Sequence, residues 1–269
     1  MLILQKGSFL GNIKHLHSDK GATVSVTNYY CTDIDASSKH YHEHPNLYFI
    51  LNGSSVEKKR GCEKELLAGS LQFYYAGEQH QNIRKGFPSE SINLEIEYSL
   101  LSENSLTEDK INDTVKLFPS VKFAIIKILK ELKTNDALSS ITINMLILQI
   151  ISQLKGGKFG NASPIWIKQL HSLLNDCWNE TVSLNSLSGT LGISPITISR
   201  YFPSYFKCTM GEYMRELKID RAVELIKSTK LSLTEIAYTC GFADQSHFIR
   251  TFKQQTGVLP GKYQRLNVS

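Results

Sequence analysis

The C-terminal part of this chain states one pattern twice, at a spacing of 49 to 50 residues. Ser183-Leu184 through Ile198, Arg200 and Phe202 returns as Ser232-Leu233 through Phe248, Arg250 and Phe252, and Gly192-Ile193 is answered by Gly241-Phe242. The offset is 49 up to the glycine and 50 from Ile198/Phe248 through Tyr213/Tyr263 and Arg215/Arg265, so one residue is inserted in the turn. A repeat of this length signals a duplicated supersecondary unit. The unit here is two short helices joined by a tight turn, a helix-turn-helix.

In the first copy Leu184, Leu187 and Leu191 fall at i, i+3 and i+7 and make one apolar helix face. Gly192 supplies the left-handed backbone that follows a helix end. Ser194-Pro195 is an N-cap followed by the proline that starts the next helix. That helix turns Ile198 and Phe202 inward and leaves Ile196, Thr197, Ser199 and Arg200 outward. In the second copy Leu233, Ile236 and Cys240 face in, Gly241-Phe242 turns, and Asp244 caps a helix through Phe248 and Phe252. Its outward set is Gln245, Ser246, His247, Ile249 and Arg250. Such side chains on the first turns of a second helix are those that reach base edges and phosphates in a major groove.

On these residues the stretch from about Pro164 to Leu266 resembles the DNA-binding domain of the AraC/XylS family of bacterial transcriptional regulators. The matching elements are Leu184 to Phe206, Tyr213-Met214-Arg215 through Leu225-Ile226 as the connecting helix, and Ile236-Ala237 with Gly241-Phe242. The most family-like run is Ser246-His247-Phe248, Arg250, Phe252-Lys253, Gly257, Pro260 and Tyr263. The resemblance implies two recognition helices, near 195 to 206 and 245 to 255, entering successive major-groove segments of double-stranded DNA. By motif position the DNA-binding residues are Ile196, Thr197, Ser199 and Arg200 in the first, and Gln245, Ser246, His247 and Arg250 in the second. Pro203 departs from the pattern, because it removes a backbone donor and crowds the carbonyl of Ser199. A kink or early end is expected there.

Charge and cysteines agree with this reading. Residues 163–269 hold 12 Lys and Arg against 8 Asp and Glu, while residues 1–162 hold 18 against 17, so the positive excess lies in the C-terminal part. The five cysteines are odd in number and far apart, with no Cys-x-x-Cys pair, which disfavours a disulfide scaffold or zinc finger. No apolar run approaches the ~18 residues that span a bilayer. A cytoplasmic protein without a membrane anchor is expected.

The first hundred or so residues read differently. Short apolar or alternating runs at 23–30, 47–51, 71–75 and 92–98 are broken by Asn52-Gly53, Arg60-Gly61, Ala68-Gly69 and Gly86 with Pro88, the punctuation of an antiparallel barrel. Asn52-Gly53 is the strongest tight-turn signal. His40, His42 and His44 alternate, so an extended backbone points all three to one face. Gly69, Tyr75-Ala76-Gly77 and His80 then follow at spacings that resemble the second motif of the cupin barrel, whose first motif holds a His-x-His pair. Tyr75 replaces that motif's proline and Arg84 its terminal asparagine. Three contents for the barrel stay open. The preferred one is a small organic effector in a pocket lined by His42, His44, Tyr48, Phe73, Tyr75 and His80. A metal such as iron or zinc, held by two or three histidines and Glu57, is the second. A filled, ligand-free barrel is the third.

Between barrel and readers lie two helical stretches. Thr107 to Leu132 is divided at Pro119, and Leu138 to Leu154 is apolar almost all round, so it must be buried in the fold or in a dimer. Gly156 to Ser163 reads as a flexible hinge.

The expected class is α+β: an N-terminal cupin-like β-barrel with helices over 1–155, a linker at 156–163, and an all-α domain over 164–269 with two helix-turn-helix motifs joined by a long helix. The function that follows is a sequence-specific transcriptional regulator, an activator, controlled by a small-molecule effector in the barrel. It is expected to be a homodimer, with RNA polymerase as a further partner, and to be no enzyme, with neither cofactor nor metal. The alternative is a metal-dependent cupin sensor or enzyme fused to the same DNA-binding domain. A DNA-repair protein of the alkyl-transfer type is disfavoured, since Cys31 and Cys62 have no clustered partners.

Overall fold

The computed structural model describes residues 2–30, 37–85, 87–156 and 163–266. Ten strands come first: β1 (Leu2–Leu4), β2 (Asn12–Asp19), β3 (Ala22–Tyr29), β4 (His40–His42), β5 (Asn46–Asn52), β6 (Ser54–Lys59), β7 (Cys62–Leu67), β8 (Leu71–Tyr74), β9 (Gln81–Arg84) and β10 (Ser89–Ile96). They form an antiparallel sheet in the order β2-β3-β10-β5-β8, a second in the order β7-β6-β9, and a parallel β1-β4 pair. A bridge between His40 and His80 ties β4 to the turn before β9. The expected α+β class holds, but the strands are divided among three sheets rather than closed into one barrel. Asn52-Gly53 closes no hairpin either. Gly53, at φ 83°, turns the chain from the first sheet into the second. The tight hairpins use Lys20-Gly21 and Arg60-Gly61, both residues of each pair having positive φ, the geometry of a two-residue turn matched to strand twist.

Period-two alternation then sorts the first sheet into two unlike faces. Val24, Val26, Leu47, Phe49, Ile92 and Leu94 join the apolar core under the helices. The alternate residues are buried and polar. Asn93 Nδ2 donates to Ser25 Oγ at 3.2 Å, and the Thr27 and Ser91 hydroxyls meet at 2.8 Å. The central strands β3, β10 and β5 are buried on both sides, one dry and one hydrogen-bonded.

Four helices cover the dry side: α1 (Tyr98–Glu103), α2 (Glu108–Leu117), α3 (Pro119–Thr134) and α4 (Ser139–Gly156). Pro119 starts α3 at a position where its missing N–H costs nothing. α4 is less uniform than its sequence suggests. Ile143, Ile147, Ile150, Ile151 and Leu154 are buried, whereas Leu138, Ile141, Met145 and Leu148 form an exposed stripe. The expected hinge lies, from 157 to 162, outside the described residues.

Seven helices follow among the described residues: α5 (Ile165–Asp176), α6 (Leu184–Leu191), α7 (Pro195–Phe206), α8 (Met210–Ser228), α9 (Leu233–Thr239), α10 (Gln245–Thr256) and α11 (Pro260–Gln264). α6-α7 and α9-α10 are the two repeats, and α8 packs against both. α7 does not stop at Pro203. Its last turn is held by Phe202 and Phe206, stacked at 4.2 Å, with Phe206 edge-on to Tyr213 of α8.

The strands, α1–α4 and the helical repeats share one continuous core. α3 packs on both α8 and α10. Lys122 of α3 is buried and reaches Asp220 at 2.6 Å and Glu224 at 3.3 Å, both on α8. The Tyr213 hydroxyl donates to Leu117 O at 3.2 Å. Gly69, at φ 91°, lies so close to α8 that a Cβ would come within 2.9 Å of Glu224 Cα.

Beside this seam a cleft of about 370 Å³ is lined by Phe118, Ser152, Gln153, Phe206, Cys208 and Glu216. Burial, then the neighbouring charges of Glu212 and Asp220, push the Glu216 carboxyl up to about 7. A raised carboxyl favours the folded state below its unfolded value near 4.5, and that contribution is lost as pH rises through 7. Glu216→Gln is therefore expected to leave stability unchanged at pH 4.5 and to raise it at pH 8 by at most about 3 kcal/mol. Thermal melts of both proteins across that range check the sign.

Candidate DNA-reading face and histidine cavity

Each repeat is built by the same local devices. In the first, Ser183 caps α6 through Ser186 N, Gly192 ends it at φ 66°, and Ser194 caps α7 through Thr197 N. In the second, Ser232 and Glu235 form a capping box on α9, and Asp244 Oδ1 accepts from His247 N at 2.7 Å to start α10. Gly241 is indispensable on steric grounds, since a Cβ there would sit 2.2 Å from Asn179 O at a φ of 69°. Lys218 of α8 donates to Gly241 O at 2.8 Å, fixing the second turn to the connecting helix.

Of the sequence-derived readers, Ile196, Ser199 and Arg200 on α7 and Ser246, His247 and Arg250 on α10 are exposed. Gln245 is half-buried. Thr197 is also half-buried, and its hydroxyl lies 2.8 Å from Ser194 Oγ, so it serves the cap. Arg200 and Arg250 enter no ion pair among the described residues, which leaves both guanidinium groups available to a negatively charged partner. The sequence reading passed over Tyr201, which is exposed beside Arg200, while its repeat equivalent Thr251 is buried. The signal was a large aromatic one step past the arginine, on the face away from Ile198 and Phe202.

The second site lies in the polar interior of the strands. His40, His42 and His80 converge so that one ring nitrogen of each lies within 4.8 Å of the others, and all three are buried. Tyr74 stacks on His80 at 3.8 Å. His40 Nδ1 donates to Ser38 O at 2.8 Å and His80 Nδ1 to Glu78 O at 2.9 Å, so both carry a lone pair on Nε2. His80 Nε2 and His42 Nδ1 have no partner among the described residues. Burial, then the neighbouring His40, lowers His42 to about 3 and His80 to about 2, and burial also lowers His40. Three neutral imidazoles in van der Waals range are metal-ligand chemistry, with backbone carbonyls orienting two of the rings.

Three residues expected in this pocket are elsewhere. β4 ends at His42, so the alternation does not carry to His44, whose ring packs on Tyr98 at 5.7 Å. Phe73 and Tyr75 lie on the opposite face of β8 from Tyr74. Phe73 joins the apolar core, and the Tyr75 hydroxyl donates to Asp109 at 2.9 Å. Tyr48 lines the cavity as expected, and His40, Tyr74, Asn82 and Arg84, left out of the expected set, line it too. The cavity volume is about 10 Å³, room for one water. An organic effector of ordinary size does not fit this cavity as it stands.

Residues 187–266 match the family described as helix-turn-helix domain. Over 107 residues the chain is 30% identical to an uncharacterized HTH-type transcriptional regulator, YpdC, of Escherichia coli K12, covering 39% of this chain and 38% of that protein. Over 111 residues it is 31% identical to the HTH-type transcriptional activator RhaS of Enterobacter sp. strain 638, covering 41% and 39%. The chain thus matches about two-fifths of the length of these relatives. Among solved structures, a Chromobacterium violaceum regulator described as having an AraC-type DNA-binding domain aligns over 37% of this chain and 88% of its own, at 25% identity and a TM-score of 0.36. ToxT of Vibrio cholerae aligns over 93% and 100%, at 11% identity and a TM-score of 0.40.

Proposed function

From the premise that residues 187–266 form an AraC-type helix-turn-helix domain, we propose that the whole chain is a sequence-specific transcriptional regulator, an activator acting on double-stranded DNA. The observation that carries this reading is the pair of capped helices α7 and α10, which hold Arg200 and Arg250 at equivalent, exposed positions on a shared α8. Ile196, Ser199, Arg200, Gln245, Ser246, His247 and Arg250 are the groove-facing set, with Thr197 supporting the first turn. Residues 164–269 are the reading domain, 1–155 the sensing and dimerising domain, and 156–163 the link. No helix among the described residues is long and apolar enough to cross a membrane, which suits a cytoplasmic regulator that meets RNA polymerase at a promoter.

Arg250→Ala in the full chain is expected to relax sequence preference by ~1 to 3 kcal/mol at one operator position. Arg200→Ala, beside Pro203, is expected to weaken binding evenly across operator variants. Affinities on a matched operator set at fixed salt decide between them, and an even loss for both reduces Arg250 to a phosphate contact.

The dimer reading rests on the exposed α4 stripe. Leu148 is 55% exposed whereas Ile151 is 2% exposed. Leu148→Glu should give a folded monomer with weaker operator binding, and Ile151→Glu should unfold. Sedimentation equilibrium and circular dichroism together check this. A wild-type protein that sediments as a monomer at micromolar concentration removes the dimer.

A second reading of the sensing domain is favoured by the histidine cluster itself. A transition metal on His40, His42 and His80 fits the cavity volume, the free Nε2 lone pairs and the neutral state of the rings. Elemental analysis is then expected to find about one equivalent of metal, lost in a His42→Ala/His80→Ala double variant. Less than about a tenth of an equivalent removes it.

A further inference from the structure

Arg84 carries a formal charge into the polar interior of the strands and meets no opposite charge there. It is 8% exposed. Its guanidinium donates to the Tyr48 hydroxyl, and its Cζ lies 3.9 Å from the Tyr29 ring centroid and 5.4 Å from that of Tyr48. Its Nε–H has no acceptor, and no ion pair among the described residues includes it. The buried carboxylate on the neighbouring strand, Glu57, lies 3.8 Å from Lys59, whose closer partner is Glu78 at 2.8 Å, and no ion pair joins Glu57 to Arg84. Tyr48 stays neutral, since burial pushes its hydroxyl up to about 12. Ring contacts offset part of the desolvation of a buried cation, not all of it.

Other residues of the same lining make the complementary demand. His40 and His80 present Nε2 lone pairs, which take a proton donor or a metal and repel bare negative charge. One chemical group answers both demands. It is negative toward the guanidinium and carries its own O–H toward the imidazoles.

We propose that the cavity lined by Arg84, His40, His42 and His80 is the receptor for a hydroxyl-bearing oxyanion, either bicarbonate or the head of an α-hydroxy acid. The carboxylate oxygens accept from Arg84, and the hydroxyl donates to a histidine Nε2. The cavity of about 10 Å³ holds one water-sized group. The ligand therefore enters as Phe9 and Leu10, half-buried members of its lining, give way. This inference rests on the reading of the N-terminal part as the effector domain, and it names the chemistry of that effector.

The test uses the full chain, melted at constant pH and ionic strength with sodium glycolate, sodium bicarbonate or sodium acetate. Glycolate or bicarbonate should raise Tm saturably, by about 5 °C at a hundredfold excess over Kd. Acetate, which lacks the hydroxyl, should need at least tenfold higher concentration. Saturation by glycolate alone identifies an organic ligand, and saturation by bicarbonate alone identifies the free inorganic anion. Arg84→Gln should abolish the rise. If that variant does not fold, the ¹⁵Nε resonance of Arg84 in the wild-type protein should shift with the titrated anion. A wild-type Tm indifferent to both anions, an equal rise in Arg84→Gln, or an unmoved Arg84 resonance overturns the proposal. Promoter binding measured on the same samples separates the two levels: binding with an indifferent Tm sinks only this inference, and absence of binding sinks the regulator reading.

Discussion

The docking of α3 on α8 is the contact on which the arrangement of the whole chain depends. α8 is the common support of the two helical repeats, and α3 is the helix that closes the dry side of the strands. Lys122 crosses between them to Asp220 and Glu224 while almost fully removed from water. Removing one member of such a set strands the other charges, so the contact specifies an orientation more than it adds stability. Around it the backbone is unusually close. Gly69 approaches Glu224 where a side chain would collide, and Tyr213 bonds to the last carbonyl of α2.

A second constraint follows from the two-faced strands. The face that a small β-protein ordinarily fills with Val, Ile and Leu is here given to the helices, and the enclosed side keeps Thr, Ser, Asn, Tyr, Arg and His. Burying polar groups is tolerable only when they are hydrogen-bonded. Much of the interior meets that condition through the Thr27, Ser91, Asn93 and Ser25 network. Among the exceptions, His42 Nδ1, His80 Nε2 and Arg84 Nε line one small cavity, while others, such as Asn28 Oδ1, Asn46 Oδ1 and Ser55 Oγ, lie elsewhere along the strands. Unsatisfied groups scattered through a core indicate strain or missing water. A convergent set facing a shared space indicates a ligand-shaped hole in the hydrogen-bond network.

Much of this was legible from the residues. The duplicated helix-turn-helix was, because caps, turn glycines and apolar spacing are local signals that agree with one another across both copies. The division of the helical stretch at Pro119 and the apolar strand runs were legible for the same reason. The pocket was legible only in part. His42, Tyr48 and His80 were found, but Phe73 and Tyr75 were chosen where Tyr74 belonged, since strand parity flips every side chain and nothing in the run 71–75 marks its register. The pairing of Asn46 with Tyr74 and of Tyr48 with Gln72 sets it, and that is long-range information. His44 failed because β4 is only three residues long. The two sides of α4 could not be told apart either, because nearly every position along it is apolar and only the packing against α3 distinguishes Ile147 from Leu148.

The repeats are alike in sequence but unlike in attachment, and this asymmetry limits how the strands can influence the readers. α10 packs directly on α3 and has Thr251 buried, while α7 keeps the equivalent Tyr201 exposed and lines, through Phe206 of its last turn, a cleft shared with Phe118 and Gln153. Coupling between distant sites needs an element with two arrangements that both sites bias. α3 packs on the connecting helix and on the second reader, and its buried residues join the core shared with the dry face of the strands. α3 thus joins the second repeat to the same core as the outward residues Phe49, Ile92 and Leu94 of β5 and β10, whose alternate residues face the polar interior.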